Sequence, residues 1–193
     1  MKKVAYIIPG YDKSHLRQRG YNKVAKFFEE QGVEVIHVDI KWEYKNVKKF
    51  SDYGEQFLSV YKKPKEAEVY ILGFSYGATV AFLTANKTKP KALILCSLSP
   101  YFEEDLPGLK PAWVKWFRKN FTESDYSFTK LAPRVKSKTH LIVGDNEGKE
   151  CMTRAKDAAK KLLDSHLAIA KNAEHKIGQK EYLETVRKVI LKL

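Results

Sequence analysis

Long apolar runs are missing from this 193-residue chain. No stretch approaches the roughly 18 consecutive apolar residues of a membrane-spanning helix, so none is expected. The opening Met1-Lys2-Lys3 leads only to the short run Val4 to Ile8, which Pro9-Gly10 ends. A secretory signal needs a longer apolar core and a small-residue cleavage site, and neither is found. Cysteine is scarce: Cys96 and Cys151 are the only two. That excludes a disulfide framework and, without a secretory segment, suggests buried thiols in a reducing compartment. A cytoplasmic location is therefore expected. None of the five histidines pairs with another at metal-ligand spacing, so no metal centre is expected. Repeats, low-complexity tracts and linkers are also missing, which suggests one domain over 1–193.

Charge is plentiful and unbalanced. Lys and Arg number 36 against 23 Asp and Glu, leaving a formal +13. Such an excess raises nucleic acid, anionic membrane surfaces and acidic substrates as partners. The distribution argues against the first two: residues 1–97 carry +7 and residues 98–193 carry +6, with no basic arm or block. The lysines fall at element ends, as in Lys2-Lys3, Lys48-Lys49 and Lys62-Lys63, where they read as solvated surface. The excess would still raise the local concentration of anionic substrates. Apolar residues at 44% and aromatics at 12% are enough for a packed core.

Short apolar runs alternate with segments of helical period. Strands are expected at Val4 to Ile8, Val33 to Val38, Val69 to Leu72, Ala92 to Cys96, Thr139 to Val143 and His166 to Ala170. Helices are expected over 20–31, 46–62, 76–86, 149–163 and about 179–191, with Gly32 and Pro64 as stops. Residues 97–137 interrupt the rhythm with Pro100, Pro107, Gly108, Pro111 and Pro133, and contain one amphipathic helix at Pro111 to Asn120. Alternation of this kind builds a mostly parallel sheet with helices on both faces. Sites in such sheets form at the carboxyl ends of the strands.

One of those ends carries Gly73-Phe74-Ser75-Tyr76-Gly77. A G-x-S-x-G pattern arises by chance in a chain this long about a few per cent of the time. Its setting is the informative part, because Val69 to Leu72 directly precedes it and the buried helix directly follows. A nucleophile must project from a sharp, strained turn, and larger residues at Gly73 and Gly77 would collide with strand and helix. The helix start also offers N–H groups and a positive dipole end to an oxyanion formed at Ser75. The bland alternative makes Ser75 a simple helix N-cap.

The strand, the G-x-S-x-G turn and the following helix resemble the α/β-hydrolase family, and the resemblance covers most of the chain. It implies an α/β-hydrolase-like three-layer sandwich of about six mostly parallel strands. Relatives present an oxyanion loop, then the nucleophile, then an acid, then a histidine. His175, just after the final strand, occupies the histidine's slot, whereas His37, His140 and His166 lie in or beside strands and His15 lies in the first loop. In Gly144-Asp145-Asn146-Glu147 the family's habit of placing the acid three residues after such a glycine selects Glu147. Asp145 and the group Glu103, Glu104 and Asp105 remain alternatives. The oxyanion loop corresponds to Pro9-Gly10-Tyr11, where many relatives have His-Gly, and the expected donors are the backbone N–H groups of Tyr11 and Tyr76.

The resemblance is greatest to the small cytosolic hydrolases related to retinoblastoma-binding protein 9. It implies a shortened sheet, with no room ahead of residue 1 for the two additional strands of larger members. The function implied is a serine hydrolase cleaving a carboxylic ester, thioester or small amide through an acyl-enzyme, without a cofactor and on a small acyl substrate. A cap-like insertion around 99–134 brings Trp113, Trp116, Phe117, Phe121, Tyr126 and Phe128, which would either bind the acyl group or pack into the core. Asp12, His15, Arg17 and Arg19 would meet a polar or anionic group. The competing class is a non-catalytic protein-interaction module on the same fold. A nucleic-acid binder ranks below both for want of a motif or patch.

Overall fold

A computed structural model of the chain describes residues 1–11, 16–42, 49–62, 66–120 and 126–193, with the backbone alone at 16–18, 116 and 118–120. Six strands form one sheet: β1 (Lys2–Ile8), β2 (Glu34–His37), β3 (Ala67–Phe74), β4 (Ala92–Cys96), β5 (Lys138–Gly144) and β6 (Ser165–Ala170). Their order is β2-β1-β3-β4-β5-β6. Every pairing is parallel, so the sheet is wholly rather than mostly parallel. The central strands are buried on both faces, which is why they read as continuous apolar runs rather than alternating ones.

Successive residues along each strand serve opposite cores. Val4, Tyr6, Ile8, Val69, Ile71, Leu93 and Leu95 join the core beneath α2 (Phe50–Val60) and α3 (Tyr76–Thr88). Ala5, Ile7, Tyr70, Leu72, Ile94 and Cys96 face α1 (Leu16–Glu29) and α7 (Lys180–Ile190). Helix α3 is the innermost, buried from Tyr76 to Phe82, and its lack of a polar stripe reflects cover by the sheet on one side and α2 on the other. The expected helix over 46–62 begins at Phe50 in the described residues; Val47 and Pro64 lie outside them.

The 99–134 stretch contains α4 (Pro111–Asn120), the single turn α5 (Phe128–Leu131) and two short 3-10 turns at Leu106–Gly108 and Ala132–Arg134. Its aromatics divide between two roles. Phe117 is buried and stacks on Tyr101 at 4.8 Å, and Phe128 stacks on Phe82 of α3 at 4.3 Å. The Tyr126 hydroxyl accepts the Ser51 N–H at 2.8 Å. Phe128 and Tyr126 thus fasten the insertion to α3 and to the start of α2, and Phe117 braces Tyr101 within it, so these three follow the packing alternative. The Phe121 residue and the Trp116 side chain lie outside the described residues.

Two charged groups brace the insertion, one from outside it and one within it. Arg154 of α6 (Lys149–Lys161) is buried, lies over the Phe128 ring at 4.5 Å and pairs with Asp105 at 3.4 Å and with Asp157. Removing one side of so buried a pair costs about 3–5 kcal/mol, because the partner charge is left without compensation. Glu104 accepts hydrogen bonds from Ser127 Oγ (2.5 Å), Phe128 N (3.0 Å) and Thr129 N (2.9 Å). Partial burial raises its pKa, but the Ser127 hydroxyl and the Thr129 N–H outweigh that and bring it from 4.5 down to about 2.

The depressed pKa sets a pH window. Glu104 contributes stability fully above pH 4.5 and loses it as pH falls toward about 2. Urea unfolding of Glu104→Gln beside the native chain should show a lower midpoint for the variant at pH 6. The gap should narrow steadily below pH 4.5; a gap independent of pH would contradict the charge-based account.

Candidate active site

Close backbone contact shapes the turn after β3. A Cβ on Gly73 would lie 2.2 Å from the Gly77 carbonyl oxygen, and one on Gly77 would lie 2.2 Å from that of Ile8. Only glycine lets strand β3, helix α3 and the end of β1 meet this closely. Between the two glycines Ser75 is held at φ 56°, ψ −121°, a conformation costly for a residue with a Cβ. Its backbone is fixed on both sides: Ser75 N donates to Cys96 O at 2.8 Å, and Ser75 O accepts from Ala78 N at 2.9 Å. Although Ser75 occupies the N-cap position of α3, its side chain makes no capping hydrogen bond. The hydroxyl points elsewhere.

It points to His175. Ser75 Oγ lies 2.9 Å from His175 Nε2, and His175 Nδ1 lies 2.8 Å from Glu147 Oε2. With the ring hydrogen on Nδ1, Ser75 donates to Nε2 and the imidazole donates to the carboxylate. The histidine stands in the loop between β6 and α7, its ring 4.9 Å from that of Phe74. This loop is tied to the acid's loop, since Asp145 N donates to Ala170 O at 3.1 Å and Asn146 N to Ala173 O at 3.0 Å.

Among the alternative acids, Asp145 is exposed, Glu104 holds Ser127 and its neighbours, and Asp105 pairs with Arg154. Glu103 is also exposed. The other histidines stand apart: His37 is exposed on β2, and His140 within β5 faces His166 of β6 with ring centroids 6.3 Å apart. His15 and Asp12 lie outside the described residues, as does the Arg17 side chain, and Arg19 is exposed.

The Glu147 side chain is fully buried, yet every oxygen has a partner. Oε1 accepts from Gly144 N at 2.5 Å and from Ser97 Oγ at 2.7 Å. Ser97 in turn lies 2.7 Å from the Tyr182 hydroxyl. With the Ser97 hydrogen committed to the carboxylate, the one Tyr182 hydroxyl hydrogen is shared between Ser97 Oγ and the Ile142 carbonyl oxygen at 3.1 Å. Burial raises the Tyr182 pKa far above its ordinary value, so it remains a phenol. Tyr182, Ser97, Glu147, His175 and Ser75 thus form one chain of hydrogen bonds running from α7 to the turn.

Sequence reasoning missed Ser97, Tyr182 and Ser99, whose hydroxyl lies 3.3 Å from Ser75 Oγ. One signal could have found Ser97: it follows an apolar strand directly, at the carboxyl edge where sites form.

A cavity of about 460 Å³ opens over Ser75 Oγ, lined by Tyr11, Tyr76, Pro100, Tyr101, Trp113 and Cys151 besides the triad-like residues and Ser99. Burial raises the pKa values of Tyr76 and Tyr101, so these walls are uncharged at ordinary pH. Tyr11 and Tyr76 flank the serine, with ring centroids 6.0 Å apart. No helix among the described residues is long and apolar enough to cross a membrane.

No protein-family model matches the chain, and no curated protein matches it significantly in sequence. Solved structures do match in shape. One is an α/β hydrolase from the metagenome of lagoon sediments at Mar Chica, Morocco (19% identity, 100% of this chain, 90% of that one, TM-score 0.73). Another is alpha/beta hydrolase domain-containing protein 10 from mouse (16% identity, 98% and 88% covered, TM-score 0.73). A third is Est1E from Butyrivibrio proteoclasticus (17% identity, 99% and 88% covered, TM-score 0.76). Likeness across nearly the whole of each chain, together with the all-parallel sheet and the glycine-flanked turn after β3, shows that this chain has the α/β-hydrolase fold.

Proposed function

We propose that the chain is a serine hydrolase that cleaves a carboxylic ester, thioester or small amide through an acyl-enzyme. The observation that carries the reading is the unbroken contact from Ser75 Oγ through His175 to Glu147, at 2.9 and 2.8 Å. Ser75 Oγ attacks the substrate carbonyl while its proton passes to His175 Nε2. Glu147 accepts the Nδ1–H throughout and stabilises the imidazolium. The oxyanion of the tetrahedral intermediate is met by the N–H groups of Tyr11 and Tyr76, aided by the N-terminal dipole of α3; losing one such donor costs about 10²–10³ in rate. Collapse of the intermediate expels the alcohol, thiol or amine, which takes the proton from Nε2. Water then enters, gives a proton to His175 and attacks the acyl carbonyl, and breakdown releases the acid and restores Ser75.

The pocket supports an uncharged acyl group. Its aromatic and proline walls offer apolar contact, and no Lys or Arg among the described residues lines it. Neighbours in shape such as the Mar Chica α/β hydrolase and Est1E agree with this class. The insertion meets the cavity through Ser99, Pro100 and Tyr101 at its start and through Trp113 of α4, which is about one-third exposed at 36%.

Two experiments test the reading. A fluorophosphonate probe should label the native chain and leave Ser75→Ala unlabelled; equal labelling of both, or of neither, would reject the hydrolase and favour the interaction module. With activated esters of increasing acyl length, Trp113→Ala should raise KM on the order of tenfold for the preferred acyl chain, at little cost in thermal stability. A loss of stability with unchanged KM would instead make Trp113 a packing residue.

A further inference from the structure

Cys151 has no part in the chemistry above, yet its thiol faces the same cavity. It lies in the first turn of α6, four residues after Glu147, and is nearly buried. Its sulfur, an oxygen of Glu147 and a nitrogen of His175 all lie within 4.8 Å of one another. Helical winding and the β6–α7 loop bring these three donors together from different parts of the chain. No pair of histidines marks them in the sequence.

We propose that Glu147, Cys151 and His175 form a zinc site whose occupation switches the hydrolase off, an inference that rests on the proposed function only for its inhibitory consequence. Thiolate, imidazole and carboxylate are the donors that Zn²⁺ selects, at bonds of about 2.3, 2.0 and 2.1 Å. Tetrahedral placement at those lengths sets the donor atoms roughly 3.3–3.6 Å apart. The Nδ1–Oε2 separation of 2.8 Å therefore opens by about half an ångström as the metal takes the place of the shared proton. The sulfur draws inward, and the cavity supplies the fourth ligand as water.

Charge balance favours the ion. Zn²⁺, one thiolate and one carboxylate sum to zero beside a neutral imidazole, which suits a cavity with no other charged wall among the described residues. Protons balance as well. Cys151 loses its thiol proton and Nδ1 loses its hydrogen, while Nε2 gains one, so one proton leaves to solvent per ion bound. The imidazole is thereby locked as the Nε2–H tautomer. Nε2 then donates to Ser75 Oγ and has no lone pair to take the serine proton, so the general base is lost. Burial and the neighbouring Glu147 hold the Cys151 pKa up to about 12, so without metal the residue is a neutral thiol.

The test uses the full chain and Cd²⁺, whose bond to a thiolate gives an ultraviolet charge-transfer absorption. Titration of both the native chain and Ser75→Ala should raise that band to saturation at one ion per chain, and Zn²⁺ should compete it away. Cys151→Ser and Cys151→Ala should abolish it, and Glu147→Gln and His175→Ala should weaken binding on the order of tenfold or more. Mg²⁺ should have no effect. Zn²⁺ should also inhibit ester hydrolysis, with a midpoint at least about tenfold higher in Cys151→Ser, each variant being scaled to its own uninhibited rate. No band in the native chain, a band that survives in both Cys151 variants, or equal Zn²⁺ inhibition of native and Cys151→Ser would overturn the proposal. Because the band is read on Ser75→Ala as well, a band without any hydrolysis would reject the proposed function and leave the zinc site standing, and hydrolysis without a band would do the reverse.

Discussion

Three backbone segments meet behind Ser75 with no space for a single extra methyl group. The end of β1, the end of β3 and the start of α3 are brought within contact by Gly73 and Gly77, and the chain between them adopts a backbone conformation that a serine would otherwise avoid. The cost of that conformation is met by the surrounding architecture. Paired strands on both sides of β3, a hydrogen bond from Ser75 N to β4 and a helix buried from Tyr76 to Phe82 leave the turn no freedom to relax. From this follows the direction of the hydroxyl, and on that direction depends every contact made at the carboxyl edge of the sheet.

The same edge gathers its other groups by a different means. Glu147 and His175 stand on loops after β5 and β6, neighbouring strands whose ends are joined by backbone hydrogen bonds. Ser97, at the end of β4, has a left-handed backbone as Ser75 does, and turns its hydroxyl onto Glu147. Through Ser97 and Tyr182 the buried carboxylate is held from behind by α7, so the orientation of His175 rests on the packing of a whole helix. This support offsets the expense of keeping a carboxylate out of water.

Much of this was readable in the sequence. The six strands were visible because buried parallel strands are continuous apolar runs, and the β4 run matches its strand from Ala92 to Cys96. The turn was visible because two glycines around a serine, between a strand and a helix, have few other physical reasons to occur together. Glu147 required the family resemblance, since spacing alone could not separate it from Asp145. What stayed hidden depends on tertiary contact. Trp113 and Phe117 share a helical face four residues apart, but that period does not tell which one meets a cavity and which one meets Tyr101. Ser97, Ser99, Tyr182 and Cys151 are ordinary residues until the sheet brings strand ends and α6 and α7 together.

The central claim is that the strained turn presents Ser75 Oγ to a carbonyl whose oxygen is received by backbone N–H groups. A crystal structure of the protein after reaction with a small alkyl fluorophosphonate tests it most directly. The account predicts phosphorus bonded to Ser75 Oγ, with the phosphoryl oxygen within hydrogen-bond distance of the Tyr11 and Tyr76 amides and His175 still beside the serine. Phosphorus on another residue, or a phosphoryl oxygen turned to solvent away from both amides, would contradict it.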